Sequence, residues 1–334
     1  MDPIDVVAFA RSLIDIDSTT GQETEVGQHL VTFLESRGWS VQQQQVQASR
    51  FNIFACNGPS RVVLSTHFDC VPPFFPSREE NGMLYGRGAC DAKGILAAQV
   101  AAAERLRVAG ENRVGLLFVV GEERGSDGAK AANQLAQGSE YLVNGEPTDS
   151  RLGLATRGVI RLRLKAHGRA SHSSYQQVGE SAIEKLLEAL ATLRNLRLPE
   201  DQLLGSTHYN VGLISGGVAP NVVPPEAEAE ILFRTVGDAE ELRQILRSLT
   251  PLVEIEELLE MPPVRMHEVE GFETAVFPYT TDLPFLDHWG KPLLYGPGSI
   301  KVAHSADEHV KISHLRDAVD GYVTLATKLL ANSS

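Results

Sequence analysis

The chain has 334 residues, enough for two domains of ordinary size, and its 43% hydrophobic and 22% charged residues are typical of a globular protein. Its net charge of -13 argues against a nucleic-acid partner, because phosphate binding needs clustered Lys and Arg. No run reaches the ~18 apolar residues of a membrane helix. The first residues lack the basic region of a secretion signal, so we expect a cytoplasmic protein without a membrane partner. The three cysteines have no paired spacing, which predicts reduced thiols.

Predicted helices and strands alternate along the first part of the chain. The hydrophobic pattern predicts helices at 2–16, 22–38, 94–108 and 125–137, and strands at 39–46, 51–56, 61–69, 114–120 and 140–146. Such alternation is typical of an α/β protein with a largely parallel, doubly wound sheet.

The order of predicted elements changes from residue 158 onwards. Strands are predicted at 159–166, 208–214, 227–235 and 252–258, with helices at 179–193 and 238–249. This order is β-α-β-β-α-β, which predicts an inserted ferredoxin-like domain. Beyond it, the pattern predicts a helix at 283–289, a short strand at 292–295 and a long amphipathic helix at 312–330.

Acidic and imidazole side chains follow several predicted strands of the first part. His67 and Asp69 are two residues apart, so on a strand they share one face. The pair Glu122 and Glu123, and further on Glu146, each come at the end of a later strand. Because the carboxyl ends of strands in an open α/β sheet gather ligand-binding groups, the pattern indicates a metal site at this edge.

Asp91 lies where a glycine-rich loop becomes the predicted helix at 94–108. Gly86 and Gly88 allow a tight bend and the close approach of another group. Two interpretations are open for Asp91, a helix N-cap and a metal ligand, and for an isolated aspartate the N-cap is the more common role. The other clusters favour the ligand.

Five motifs in this order resemble the M20 family of zinc amidohydrolases, which includes acetylornithine deacetylase, succinyl-diaminopimelate desuccinylase, and related deacylases and peptidases. The resemblance spans nearly the whole chain. The motifs are His67-Phe-Asp, Gly86-Arg-Gly-Ala-Cys-Asp-Ala-Lys-Gly94, Glu122-Glu123, Gly145-Glu-Pro-Thr148 and Ala303-His-Ser-Ala-Asp-Glu308.

The resemblance implies a site for two divalent metal ions, Zn²⁺ foremost, with Co²⁺ or Mn²⁺ as substitutes. It implies that Asp91 bridges the two ions. The terminal ligands that it implies are His67 and Glu146 for one ion and Glu123 and His304 for the other. In the family pattern this last histidine stands four residues before a glutamate, which His304 satisfies and the neighbouring His309 does not.

Three further residues receive catalytic roles from the same resemblance. Asp69 would accept the second ring N–H of His67 and fix its tautomer. Glu122 would be the general base that takes a proton from the attacking water, because one step along an extended backbone it points away from Glu123. His172 would cross the interface of a homodimer and stabilise the oxyanion in the partner's site.

Recognition of the substrate carboxylate is assigned, again by resemblance, to Asn221, Arg234 and the backbone N–H of Gly298. An arginine fork suits a carboxylate. The resemblance also implies a discontinuous metal-binding domain of residues 1–156 and 266–334. The inserted dimerisation domain would then be residues 157–265.

The function expected from these features is metal-dependent hydrolysis of the amide bond of an N-acyl amino acid, of the acetylornithine or acetylcitrulline type. Two enzymatic alternatives share every ligand: an exopeptidase acting on di- or tripeptides, and a desuccinylase of N-succinyl amino acids. A different class, a catalytically silent metal-binding or dimeric scaffold protein, is disfavoured because such a protein would be free to lose Glu122.

Overall fold

A computed structural model describes residues 2–331 of the chain. The chain divides into two compact units. The first comprises Met1–Leu154, Arg265–Phe277 and Thr281–Ser334, and the second comprises Ala155–Val264 and Pro278–Thr280. Relative to the expected insertion at 157–265, the second unit begins two residues earlier and includes three further residues after the insertion.

Seven α-helices and eighteen strands occur in the described residues 2–331. The helices are α1 Val6–Ile14, α2 Thr24–Ser36, α3 Lys93–Val108, α4 Asp127–Ala132, α5 Ala182–Asn195, α6 Ala239–Leu246 and α7 Ile312–Ala331. The strands are β1 Ser40–Gln47, β2 Arg50–Cys56, β3 Val62–His67, β4 Arg78–Glu80, β5 Met83–Tyr85, β6 Val114–Val119, β7 Tyr141–Asn144, β8 Leu152–Thr156, β9 Gly158–His167, β10 Glu200–Asp201, β11 Gly205–Ser206, β12 His208–Gly216, β13 Glu226–Thr235, β14 Glu254–Met261, β15 Val264–Arg265, β16 Thr274–Phe277, β17 Lys291–Leu294 and β18 His309–Lys311.

The first unit is built on a six-stranded sheet with the order β1-β2-β6-β3-β7-β17. Strands β6, β3, β7 and β17 pair in parallel, whereas β1 and β2 add an antiparallel edge. The parallel strands β3, β6 and β7 are buried throughout, as expected for strands covered on both faces. The sheet is therefore largely parallel, as the sequence predicts.

Helix α3 occupies the centre of this unit. It packs against strands β3 and β6 and against helices α1 and α7. Its alanine-rich sequence favours a helix, and the small side chains allow other elements to approach it on nearly every side. This buried helix gives a rigid support to the loop that precedes it.

The second unit contains the predicted order β9-α5-β12-β13-α6-β14. Its four-stranded sheet is antiparallel, with the order β12-β13-β9-β14. Alternate residues of β13, from Ala227 to Phe233, are buried in a core shared with α5 and α6. The intervening residues of β13 lie on the opposite face of the sheet, which carries mostly charged side chains.

Two local predictions were wrong. The segment 283–289 is two short 3₁₀ helices, Leu283–Phe285 and Asp287–Trp289, which are separated by the non-helical backbone of Leu286 and followed by a turn at Gly290 with φ +95°. The segment 125–137 shortens to α4 followed by a 3₁₀ turn.

Candidate metal centre

Asp91 stands directly before α3 but does not cap it. The N-cap position is Ala92, whose side chain makes no capping hydrogen bond. The carboxylate of Asp91 instead faces two imidazoles: its Oδ1 lies 3.1 Å from His67 Nε2, and its Oδ2 lies 3.3 Å from His304 Nε2. The N-cap interpretation of Asp91 is therefore wrong.

The ring of His67 is fixed at the end of β3. Its Nδ1 lies 3.0 Å from the backbone oxygen of Asp69 and 3.4 Å from the Oδ1 of the same residue. Both atoms are acceptors, so Nδ1 carries a hydrogen, and Nε2 is the ring nitrogen that faces Asp91. The nearer acceptor is thus the backbone oxygen of Asp69, and the carboxylate, which the family resemblance casts as the acceptor, lies slightly farther from the ring.

Asp69 also holds the segment that carries the paired glutamates. Its Oδ1 accepts from Glu122 N at 3.0 Å, its Oδ2 accepts from Glu123 N at 3.3 Å, and Thr20 Oγ1 donates to Oδ2 at 2.8 Å. The two glutamates begin a 3₁₀ turn after Gly121, whose φ is +76°. The expectation of extended backbone at Glu122 was wrong: the turn, not strand alternation, separates the two side chains.

The two other predicted ligands, His304 and Glu146, also lie in the first unit. His304 Nε2 lies 3.0 Å from both carboxylate oxygens of Glu123, and its imidazole is half exposed. Glu146 is buried, and among the described residues its Oε1 has no hydrogen-bond partner. The side chains of His67, Asp91 and Glu123 offer ligand atoms that all lie within 4.8 Å of one another.

The pKa values in this cluster reflect its negative charge. Burial raises the pKa of Glu122, Glu123 and Glu146, because an ionised carboxylate loses hydration in the interior, and neighbouring carboxylates raise these values further. The contacts of His304 with Asp91 and Glu123 raise the pKa of that imidazole to about 10. The cluster holds more carboxylates than its imidazoles balance, which is an environment that attracts divalent cations.

The residues present fit a divalent metal ion. Two ligands of a tetrahedral ion with bonds of ~2.1 Å are ~3.4 Å apart. The imidazole-to-carboxylate distances of 3.0–3.3 Å are close to that spacing. Mixed imidazole and carboxylate donors suit Zn²⁺, Co²⁺ or Mn²⁺. The unpartnered Oε1 of Glu146 adds a buried acceptor that a cation would satisfy.

Glu308 has a role in the site that the sequence reasoning missed, because it served there only as a spacing marker for His304. Its Oε1 accepts from the backbone N–H groups of Gly88, Cys90 and Asp91 at 2.9–3.1 Å. Its other oxygen accepts from Arg87 Nη1 at 2.5 Å, and both side chains are buried. Glu308 therefore fixes the loop that presents Asp91.

Gly298 lies in the first unit, on the loop after β17. It is buried and has φ +82°, and a Cβ at this position would lie 2.6 Å from Cys90 Sγ. Its carbonyl accepts from Asp149 N at 2.7 Å. These contacts explain why a glycine is required, whereas the binding of a substrate carboxylate by its N–H stays a prediction.

The remaining predicted residues lie in the second unit. His172 Nδ1 accepts from Ser174 N at 3.1 Å, so the ring N–H is on Nε2. The adjacent Ser173 N donates to the backbone oxygen of Asn221 at 3.0 Å, which brings the His172 and Asn221 loops together. Arg234 lies near the end of β13, half-buried on the charged face of the sheet.

A family model decides the classification of the chain. The model described as peptidase family M20/M25/M40 matches residues 63–328, most of the chain. The chain belongs to this family. The M20 match covers segments of both compact units and every residue of the candidate metal centre.

Curated relatives of this M20 protein are named as peptidases. A peptidase M20 domain-containing protein of Schizosaccharomyces pombe is 40% identical over 331 residues, covering 95% of this chain and 83% of the relative. A probable carboxypeptidase of Aspergillus clavatus is 36% identical over 369 residues, covering 98% of this chain and 89% of the relative. These names favour the peptidase alternative over the N-acyl amino acid deacetylase that we expected first.

Solved structures share the fold of this chain. A tripeptidase from Staphylococcus aureus superposes with a TM-score of 0.82 at 20% identity, covering 100% of both chains. The YXEP protein of Bacillus subtilis, described as a dinuclear metal-binding peptidase of the M20 family, superposes with a TM-score of 0.75 at 16% identity, covering 98% of both chains. In the described part of this chain, no helix is long and apolar enough to cross a membrane.

Proposed function

We propose that this M20 protein is a metal-dependent exopeptidase that removes the C-terminal residue from di- or tripeptides. The observation that carries the proposal is the convergence of His67, Asp91, Glu123 and His304 at 3.0–3.3 Å. The names of the carboxypeptidase relatives support a peptide substrate with a free carboxylate. The N-acyl amino acid deacylase, which needs the same residues, is the competing outcome of the test.

In this proposal, the centre would hold two divalent ions. His67 and Glu146 would bind one ion, Glu123 and His304 would bind the other, and Asp91 would be a ligand of both. When bound, such ions polarise the scissile carbonyl and make an attacking water more acidic. Zn²⁺ is the first candidate, and the dinuclear Bacillus subtilis relative supports a count of two.

Glu122 is the proposed general base. Its backbone N–H donates to Asp69, which orients the start of the 3₁₀ turn. The carboxylate takes a proton from water as the water oxygen bonds to the carbonyl carbon. It then returns the proton to the nitrogen as the C–N bond breaks. Burial raises the pKa of Glu122, which brings a carboxylate nearer to the range useful for both transfers.

Arg234 is the proposed site for the substrate carboxylate. Other cations on the same sheet face are ion-paired: Arg161 and Arg163 contact Glu230, and Lys165 contacts Glu256. Within residues 2–331, Arg234 has no carboxylate at ion-pair distance, so a substrate anion could pair with its half-buried guanidinium. Asn221 and the Gly298 N–H are proposed to assist.

The test is a substrate panel with metal-loaded protein and a chelator control. The panel contains an N-blocked dipeptide with a free carboxylate, the same peptide as C-terminal amide, a free tripeptide and an N-acetyl amino acid. We expect chelator-sensitive release of the C-terminal residue from the first and third substrates. Exclusive cleavage of the N-acetyl amino acid would restore the deacylase assignment, and silence of the whole panel would contradict both.

We also propose that the protein is a homodimer in which His172 acts in the partner's site. Strand β12 is an edge of the second unit's sheet and exposes Leu213 and Ile214 at 62% and 59%, and Leu187 of α5 is 49% exposed. An unpaired apolar edge strand favours association with another copy. The Nε2–H of His172 suits an oxyanion donor.

Mixed dimers test this arrangement. A Glu122→Gln chain still supplies His172, and a His172→Ala chain still supplies Glu122. If His172 acts across the interface, random exchange of the two inactive variants restores about one quarter of the wild-type sites. No recovery after demonstrated subunit exchange would contradict action across the interface. An Ile214→Asp variant should sediment as a monomer, whereas an exposed control such as Val108→Asp should not.

A further inference from the structure

The end of the sheet beside Arg234 carries a histidine whose orientation is set by a second arginine. His208 pairs directly with Arg234 across β12 and β13. The next pair, Tyr209 and Phe233, packs towards the helices, so His208 and Arg234 lie together on the opposite face. His208 is exposed on that face.

Arg157 fixes the ring of His208. Its Nη1 lies 2.8 Å from His208 Nδ1, and a guanidinium can only donate, so Nδ1 accepts and the ring hydrogen is on Nε2. Arg157 is itself anchored, because it also donates to the backbone oxygens of Ser206 at 2.9 Å and Leu204 at 2.5 Å. Within the described chain, His208 Nε2 has no hydrogen-bond partner, so its N–H is free for a ligand.

The charge distribution at this end of the sheet favours an anion. Burial and the positive charge of Arg157 lower the pKa of Arg234, because both disfavour its charged form. Elsewhere on this face carboxylates such as Glu230 and Glu256 balance the cations. The position opposite Arg234, where a glutamate would satisfy it, is occupied by His208.

We infer that His208 is a specificity-determining residue, which donates its Nε2–H to the substrate carboxylate beside the Arg234 fork and is held in that tautomer by Arg157. This inference rests on the proposed function, since it deepens the recognition of a C-terminal carboxylate. Donors from His208 and from the Arg234 fork, on one face of the sheet, would select a free carboxylate over an amide, because an amide nitrogen would present hydrogens to donors.

The test compares His208→Phe with His208→Gln on the N-blocked dipeptide and on its C-terminal amide. Phe keeps a ring without a donor, and Gln restores an N–H near the position of Nε2. We expect Phe to raise KM for the free carboxylate about tenfold, as for one hydrogen bond to a charged group, with little change in kcat. Gln should recover most of the loss. Arg161→Met, on the same face but paired with Glu230, is the control and should leave KM unchanged.

A second readout follows the tautomer. Long-range ¹H–¹⁵N spectra should show His208 with its hydrogen on Nε2 in the wild type, and a mixture of tautomers in Arg157→Met. If the wild type prefers the free carboxylate and His208→Phe leaves KM unchanged, the inference fails and the proposed function stands. If the wild type cleaves the C-terminal amide of the dipeptide as well as the dipeptide with a free carboxylate, both the inference and the proposed function fail.

Discussion

Removal of the Glu308 carboxylate should destabilise the first unit and release the loop that presents Asp91. Glu308 is fully buried and accepts three backbone hydrogen bonds while pairing with the buried Arg87. In Glu308→Ala, the guanidinium of Arg87 is left as an uncompensated buried charge, which typically lowers the free energy of unfolding by about 3–5 kcal/mol. The three N–H groups lose their acceptor as well, so the upper part of this range is expected.

Glu308→Gln separates the two contributions. The amide oxygen can still accept from the loop N–H groups, whereas the amide nitrogen cannot accept from Arg87. We expect Gln to lose about half as much stability as Ala and to keep more of the metal affinity. Denaturant unfolding and metal titration of both variants measure these effects.

The control for Glu308 is an exposed ion pair. Glu79 contacts Arg11 at 3.0 Å with both side chains more than 40% exposed, so Glu79→Ala should change stability by less than ~1 kcal/mol. The reasoning would be refuted if the free energy of unfolding of Glu308→Ala were within ~1 kcal/mol of the wild-type value and the variant bound metal normally. That result would mean that the loop keeps its conformation without Glu308.

Two other predictions follow from the candidate centre, and a third concerns the buried carboxylate of Asp282. Glu122→Gln should lower kcat by about 10²–10⁴ while the bound metal, measured by elemental analysis, stays at the wild-type level. A chelator should lower the melting temperature of the protein. Free Zn²⁺ at one hundred times its Kd should then restore about 2.7 kcal/mol to the free energy of unfolding. A melting temperature that the chelator leaves unchanged would contradict a metal site. Asp282 is buried, which raises its pKa to about 7 from 3.8, so its ionisation destabilises the fold increasingly between pH 4 and 7. Asp282→Asn should therefore stabilise the protein at pH 8, with a gain in denaturation midpoint that disappears by pH 4.

The sequence predicted the elements with long periodic patterns well. Strand β6 and helix α7 end within one residue of the predicted bounds, 114–120 and 312–330. Their hydrophobic residues face a continuous core, so local pattern and tertiary packing favour the same structure. The short strands β5 and β18 were missed because His309 pairs with Tyr85 far away in the sequence, and three-residue strands carry no periodicity of their own.

The motifs of the family resemblance include His67, Asp91, Glu123 and His304, and contacts of 3.0–3.3 Å link these four side chains in the structure. The geometry between them was harder to predict. The extended backbone assumed at Glu122 failed because the left-handed residue Gly121 starts a 3₁₀ turn. A turn that begins at a single left-handed residue has no signature in a local pattern of hydrophobic residues.

Two carboxylates outside the expected ligand set account for much of the site's geometry. Asp69 contacts the ring of His67 and the backbone N–H groups of both Glu122 and Glu123, so one side chain aligns residues from two strand ends. Because the same two oxygens serve all three partners, a shift of Asp69 moves a proposed ligand and the proposed base together. This coupling predicts that changes at Asp69 alter metal binding and catalysis jointly.

The contacts of Glu308 and His304 with Asp91 explain why these two residues are four positions apart. His304 contacts the side chain of Asp91, while Glu308 accepts from the backbone N–H of the same residue. One short segment therefore provides both an imidazole for the centre and the anchor of the loop opposite, although 217 residues separate Glu308 from Asp91. If a residue were inserted between His304 and Glu308, only one of these two contacts with Asp91 could form. The four-residue spacing allows both contacts at once.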